Sequence, residues 1–386
     1  MGLILKYNFR NLFVRRVSTL MTLAGVAMVV AVFLVLMALA QGILSIGEST
    51  GDPLQVIVLQ KGTNAETSSG ISDAAADQAE NVTLLPRDTQ GPIVSRDLFV
   101  VIMLPRPDGG APANLVVRGV TGRAFDIRPE VKVDGGKRPQ GSDIVVARPL
   151  AKRFAHLNVG DKVHFGKRDW NVIAHFDADG QAWESEIWAD LPEIQADAHR
   201  GSTVSSLYVR LSRPEDLATL NAELEKSSET KGLKATTVRE YFAGQTGTAG
   251  MLKVVGSVIT FLLSLGAGLG AMNTMYAAIG NRSREIGTLR ALGFGRRTIL
   301  VSFLFESSLI GLAGGVLGCL IALPVNGLQT GTMNWVSFTE TAFSFRITPG
   351  MLLIGLAIGG FVGAVGGFLP ALAAARRPIL DSLRAH

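Results

Sequence analysis

The sequence predicts an α-helical membrane protein with four transmembrane helices and an α+β domain inserted between helices 1 and 2. Three observations predict it. Hydrophobic residues make up 47% of the 386 residues and charged residues only 18%, whereas a soluble chain carries roughly a quarter charged. Mean hydropathy is +0.31. The charge is also segregated. Residues 48–250 carry 28 acidic and 23 basic residues, a net of −5, and the remainder carry 4 and 14, a net of +10. The basic excess therefore flanks apolar segments, and the pI of 9.4 is no nucleic-acid signal. A single cysteine, Cys319, excludes a disulfide scaffold, and the apolar content excludes a disordered chain.

The elements follow in chain order. Residues 1–16 read as a cytosolic amphipathic helix, with Leu5, Phe9, Leu12 and Phe13 near one face and Lys6, Asn8 and Arg10 away from it. A bilayer core needs about 20 apolar helical residues. Span 1, residues 17–44, lies within the uncharged stretch between Arg16 and Glu48. It exceeds the roughly 7–15 residues of a signal-peptide core and lacks a convincing small-x-small cleavage site, so it is expected to be retained. Residues 45–250 form the inserted domain. Span 2 is 251–280, uncharged from Val254 to Asn281, and a loop segment occupies 281–297. Span 3, residues 298–324, is apolar except for Glu306. Residues 325–346 are a loop, span 4 is the uncharged 347–375, and 376–386 is a tail.

Lysine and arginine set the orientation. Lys6, Arg10, Arg15 and Arg16 precede span 1. Arg282, Arg284, Arg290, Arg296 and Arg297 stand between spans 2 and 3, and Arg376, Arg377 and Arg384 follow span 4. With four spans these groups share one side, the cytosol, with both termini. The inserted domain and the 325–346 loop are then external. The spans also carry small-residue faces. Gly355, Gly359, Gly363 and Gly367 recur every four residues in span 4, as do Gly311/Gly315 and Gly314/Gly318 in span 3. That spacing lets backbones approach closely, within the chain or against a second protomer. Gly266, Gly268 and Gly270 of span 2 follow no strand, so they read as packing and not as a dinucleotide fingerprint.

The external segment is expected to be mixed. Residues 54–60, 114–120, 143–147, 170–176, 185–191 and 205–211 read as strands, rich in β-branched and aromatic residues. Residues 147–157 and 214–227 read as helices, and 61–90 as a loop or marginal helix. Little chemistry is visible. His156, His164, His175 and His199 lack metal-ligand spacing. Asp177–Gly180 with Glu184 and Glu186 hints at a calcium loop but lacks the full ligand set, so a tight hairpin turn is expected. No nucleophile elbow or zinc-protease motif occurs, so a membrane enzyme finds no constellation to support it.

The segment Asn281–Thr298, NRSREIGTLRALGFGRRT, is the most informative. Asn281 or Ser283 can cap a short helix that Gly293 and Gly295 end. Ile286 and Leu289 fall together, which reads as a docking peg flanked by charges. Glu306 is the other candidate. An acidic group at mid-bilayer costs about 2.5–3.5 kcal/mol, and it stands roughly 13 Å along the helix from Arg297, at 1.5 Å per residue. A partner is therefore expected: Asn273, Ser264, a snorkelling arginine, or a water-filled gap.

These residues carry a resemblance. The motif SREIGTLRALGFGRRTI is similar to the Arg-Glu-Ile-Gly-x-x-Arg-Ala-Leu-Gly pattern of the MacB/FtsX-type (type VII) permeases of ABC transporters. RNLFVRRVSTLMTLAGVAMVVAVFL, VIVLQKGTNAETSSGIS and PALAAARRPILDSLR resemble that family's first helix, the segment following it, and its C-terminal end. The resemblance implies a non-catalytic half-transporter in the bacterial cytoplasmic (inner) membrane that pairs with a second permease chain, identical or different. A cytosolic ABC ATPase would seat the loop helix through Arg282, Arg284, Glu285, Ile286, Thr288, Leu289 and Arg290. Glu306, apart from the resemblance, reads either as an intramembrane coupling residue or as a protonated, hydrogen-bonded glutamate that only aids packing. ATP and magnesium would be held by that ATPase, and no cofactor by this chain, whose 386 residues contain no Gly-x4-Gly-Lys-Ser/Thr loop. A periplasmic adaptor is a further implied partner. Export of a small molecule or peptide, or extraction of a lipid or lipoprotein, is the implied work. The alternative is an FtsX-like signalling or scaffold protein that controls an external cell-wall hydrolase.

Overall fold

The uncharged run after Arg16 forms one unbroken helix. In the computed structural model, which describes residues 16–107 and 109–378, α1 spans Arg16–Ser49. The amphipathic helix expected over residues 1–16 lies, apart from Arg16, outside the described residues, as does the tail beyond residue 378. The chain divides into two compact units. One comprises Gly42–Ala249 with Gln329–Ser344, and the other holds the long apolar helices.

The first unit is built on a ten-stranded sheet. Its strands are β1 (Gln55–Gln60), β2 (Val94–Leu104), β3 (Ala113–Val120), β4 (Lys132–Val133), β5 (Asp143–Ala147), β6 (Lys162–Phe165), β7 (Arg168–Asp177), β8 (Glu186–Asp190), β9 (Ser206–Arg210) and β10 (Leu233–Thr237). They run in the order β10-β1-β9-β2-β3-β8-β5-β7-β4, with β6 paired to β7. The β3–β8 and β5–β7 pairs are parallel and the others antiparallel. Helices α2 (Asp73–Glu80), α3 (Leu191–Asp197), α4 (Asp216–Lys226) and α5 (Val238–Gln245) complete it. The side chain of Asn221 closes the edge of β10: it accepts from the Ala235 amide at 2.9 Å and donates to the Ala235 carbonyl at 3.0 Å. An unpaired strand edge is thereby protected.

Several expectations are corrected here. β2, the longest strand, and β10 are absent from the sequence reading. The helix expected at 147–157 is a single turn, Arg148–Ala151, and His156 has a left-handed φ of 60° that a helix cannot hold. The 61–90 stretch, expected as a loop or marginal helix, does contain a short helix, α2, whose N-cap Ser72 accepts from the Ala75 amide. The Asp177–Gly180 turn does not join a hairpin, because β5 separates β7 from β8 in the sheet. Asp177 pairs with Arg148, and Glu184 accepts from the amides of Ala178 and Gly180. Among the described residues no group of His, Cys, Asp and Glu could hold a metal ion.

The 325–346 segment is not a plain loop. It folds into the hairpin β11 (Gln329–Asn334) and β12 (Thr339–Ser344) and belongs to the α+β unit. Glu340 of β12 sits between Arg106 and Arg153, Asn114 donates to the Phe338 carbonyl at 2.9 Å, and the Ala342 amide donates to Ser185 at 2.8 Å.

The second unit contains α6 (Gly247–Gly280, its first residues in the other unit), the short α7 (Ser283–Ala291), α8 (Arg296–Ala322) and α9 (Pro349–Arg376), together with most of α1. Among the described residues four helices are long and apolar enough to cross a membrane: α1, α6, α8 and α9. The glycine faces expected in α8 and α9 meet each other inside one chain. A Cβ built on Gly359 would lie 2.6 Å from the Gly311 carbonyl oxygen, and one on Gly363 would lie 2.9 Å from the Gly311 Cα. Gly367 abuts Ser307, whereas Gly355 turns to Val30 of α1. The second α8 pair, Gly314 and Gly318, also faces α1, at Val26 and Val30. The glycine seam is thus intramolecular, and a second protomer is not needed to explain it. In α6 the Cβ positions of Gly266, Gly268 and Gly270 meet nothing within 4 Å, but α9 comes close to the α6 backbone at Gly268: a Cβ built on Gly366 would lie 2.8 Å from the Gly268 carbonyl oxygen.

Gly359→Leu and Gly363→Leu are each expected to separate α8 from α9 and lower the yield of folded protein in detergent severalfold. Phe361→Ala, on the open face of α9, should be mild. Size-exclusion profiles of the three variants test this, and equal profiles would remove the seam's special role. Leu356 is not a suitable control, because it packs against the buried cluster that includes Val30 and Leu34.

Candidate functional site

The α7 helix is closed at its C-terminal end by backbone geometry that only glycine enters easily. Gly293 has φ 96°. The Gly293 amide donates to the Arg290 carbonyl at 3.1 Å and the Phe294 amide to the Leu289 carbonyl at 3.2 Å, the paired bonds of a Schellman end. The N-terminal end differs from expectation. Neither Asn281 nor Ser283 caps the helix; Arg282 occupies the cap position without a side-chain cap bond, and Ser283 donates back to the Gly280 carbonyl at 2.9 Å.

The orientation of α7 reverses the expected one. Ile286 is 3% exposed and packs in a cluster with Met275 and Ile279 of α6, Ile299 and Phe303 of α8, and Ala371 and Ala374 of α9. Leu289 packs half-buried against the same cluster. Neither is free to fill a partner's groove. Arg282 is buried and paired with Glu306, and Arg290 donates to the Arg377 carbonyl at 2.6 Å. Of the seven expected docking residues, Arg284, Glu285 and Thr288 are the ones that remain exposed. The apolar residues beside them are Leu292, 73% exposed, and Phe294, 38% exposed, on either side of Gly293. The sequence signal for the inward face was available. Ile279 and Ile286 bracket Arg282 and Ser283 at helical spacing and prolong the buried seam of α6.

Besides the Arg290 bond, two polar ties hold α7. Arg377, just past α9, donates to Ser283 at 2.6 Å. The Arg282 guanidinium donates to the two Glu306 carboxylate oxygens at 3.2 and 3.4 Å, with both residues buried. Of the partners expected for Glu306, an arginine is the one shown by these contacts.

A second buried cluster lies in the α+β unit. Arg118 of β3 bonds Glu66 at 2.6 and 2.9 Å and Glu186 at 2.7 Å through two nitrogens. Arg128 bonds Asp97 at 2.5 Å and lies 3.8 Å from the Tyr208 ring centroid. Burial opposes the Arg118 charge, but Glu186 and Glu66 outweigh it and hold the guanidinium well above its ordinary range. All five ionic side chains are essentially inaccessible to solvent. With no open side, the cluster is structural.

Known proteins resemble this chain along most of its length. The family model for the MacB-like periplasmic core domain matches residues 19–227, and the model for the FtsX-like permease C-terminal region matches residues 257–379. The chain is 33% identical over 147 residues to the macrolide export ATP-binding/permease protein MacB of Bordetella avium, covering 38% of this chain and 21% of that protein. It is 27% identical over 285 residues to the same-named protein of Neisseria meningitidis, covering 69% and 41%. It is 34% identical over 137 residues to the ABC transporter permease YknZ of Bacillus subtilis, covering 36% and 32%. The chain thus spans between about a fifth and two fifths of the length of these relatives. Among solved structures, the periplasmic region of MacB from Actinobacillus actinomycetemcomitans is similar at 14% identity and a TM-score of 0.37, covering 50% of this chain and 92% of that one.

Proposed function

Because the chain belongs to the family of MacB-like and FtsX-like ABC transporter permeases, we propose that it is the non-catalytic membrane subunit that couples ATP hydrolysis by a cytosolic ATPase to movement of an extracytoplasmic α+β domain between its first two spans. The work done is export or extraction of a substrate across or out of the inner membrane. The observation that carries this reading is α7, a short helix between two apolar spans. Its inner face is sealed into all three neighbouring long helices, while Arg284, Glu285, Thr288, Leu292 and Phe294 face outward. A loop needed only to join two spans has no reason to be both anchored and apolar outside. ATP and magnesium belong to the partner in this reading, since the 386 residues contain no phosphate-cradling Gly-x4-Gly-Lys-Ser/Thr loop.

The exposed length of α6 favours a second permease chain. Phe261, Leu262, Leu265 and Leu269 are more than half uncovered, a face for lipid and another protomer to share. Isolation of the chain from native membranes should recover an ATP-hydrolysing subunit whose activity changes when the permease is present. An ATPase that neither binds the permease nor responds to it would reject the proposal.

Orientation is tested separately. In a Cys319→Ser background, Ser68→Cys is expected to react with an impermeant maleimide on intact spheroplasts. Thr288→Cys should react only after lysis. Both side chains are exposed, so the reverse pattern would overturn the assigned sides.

A further inference from the structure

We infer that the Arg282–Glu306 pair is a positioning joint that makes the docking helix and α8 move as one body; this rests on the docking reading above. Arg282 stands at the start of α7, and Glu306 lies well inside an apolar span. The pair therefore reaches from the docking helix into the bilayer segment. Both residues are buried and their charged groups are 3.2 Å apart. A buried pair of this kind holds a direction as well as a distance, because rotating α7 away would pull the guanidinium off both carboxylate oxygens in a buried site.

The location favours transmission. Glu306 immediately precedes Ser307, and a Cβ on Gly363 or Gly367 of α9 would collide with Ser307. Side chains at such a crossing have no slack with which to absorb a displacement. A push on α7 that moves Arg282 is thus handed to α8 beside its tightest contact with α9. The Arg290 and Arg377 bonds tie the other side of α7 to the end of α9. Packing by Ile286 alone would hold α7 in place but would let it roll, since an apolar contact is not directional.

The joint predicts a ranking that a packing role does not. Glu306→Asp keeps the charge and shortens the reach; Glu306→Gln keeps the shape and removes the charge. An ion-paired joint tolerates Asp better than Gln, whereas a hydrogen-bonded packing residue tolerates Gln at least as well. The double variant Arg282→Gln with Glu306→Gln removes both charges, leaves neither unpaired, and guards against loss of folding in the single variants.

The test uses the full chain in nanodiscs. Spin labels are placed by A291C and L312C in the Cys319→Ser background, at exposed positions of α7 and α8, and the distance distribution is measured without any ATPase. Wild type and Glu306→Asp should give a narrow distribution. Glu306→Gln and the double variant should give one about twice as broad. With the ATPase added, the Gln variants should bind within about three-fold of wild type, since the outer face is intact, while permease-dependent hydrolysis falls about ten-fold. Glu306→Asp should restore at least half of it. Unchanged widths in both Gln variants, or Gln performing as well as Asp, would overturn the joint. If no ATPase binds wild type, the docking reading fails, and the distance distributions still decide the joint by themselves.

Discussion

The double variant Leu292→Asp, Phe294→Asp is expected to abolish binding of the ATPase while the permease still folds. Both side chains project from the glycine-closed end of α7 into solvent. An exposed apolar residue buried on docking contributes about 1.5–3 kcal/mol. Losing two, and burying charge in their place, should weaken affinity by roughly 100-fold to 10,000-fold. The informative comparison is Ile286→Asp, which places a carboxylate inside the cluster of Met275, Ile299 and Ala371. That variant should lose its folded membrane unit in detergent before any docking is measured. Co-elution with the ATPase and a detergent melting curve, run on both proteins, separate the two effects. Retained affinity in the Leu292/Phe294 variant would show that the ATPase is held elsewhere.

Arg118→Met is expected to destabilise the α+β domain by about 3–5 kcal/mol, the usual cost of removing one partner from a buried ionic cluster. The substitution leaves Glu66 and Glu186 facing each other in an interior that water does not reach. For a domain of this size that is roughly a 6–20 °C fall in melting temperature. Trp183 and Trp188 border the cluster, and Trp188 donates to Glu186 at 2.8 Å, so intrinsic fluorescence follows the transition directly. Adding Glu66→Gln and Glu186→Gln to Arg118→Met should recover much of the loss by removing the unpaired charges. A melting curve unmoved by Arg118→Met would show that the ionic cluster does not hold this domain together.

The four spans were legible because membrane insertion depends on composition over a stretch of about 20 residues, which needs no knowledge of neighbours. The charge segregation and the loop motif were legible for the same reason, being local properties. Strands β1, β3, β5, β7, β8 and β9 were visible as short β-branched runs. β2 was not, although it is the longest, because Arg96 and Asp97 interrupt the run VSRDLFVVIML. Asp97 is acceptable there only because Ser95, Arg118 and Arg128 surround it. The β11–β12 hairpin was invisible because QTGTMN and TETAFS have no strand character until each pairs with the other.

The sequence by itself determined that the chain carries four stretches long and apolar enough to cross a membrane, that a short charged helix joins the second and third, and that an acidic residue inside the third needs a partner. Tertiary structure decided which partner, and which way the short helix faces. Ile286, Leu289, Leu292 and Phe294 are all apolar within nine residues, so composition cannot say which pair turns inward. The choice falls to what stands opposite: Ile279, Ile299, Phe303 and Ala371 present an apolar groove to Ile286, and Glu306 draws Arg282 down to the same side. Among the described residues Leu292 and Phe294, on either side of the glycine that ends the helix, are the ones left exposed.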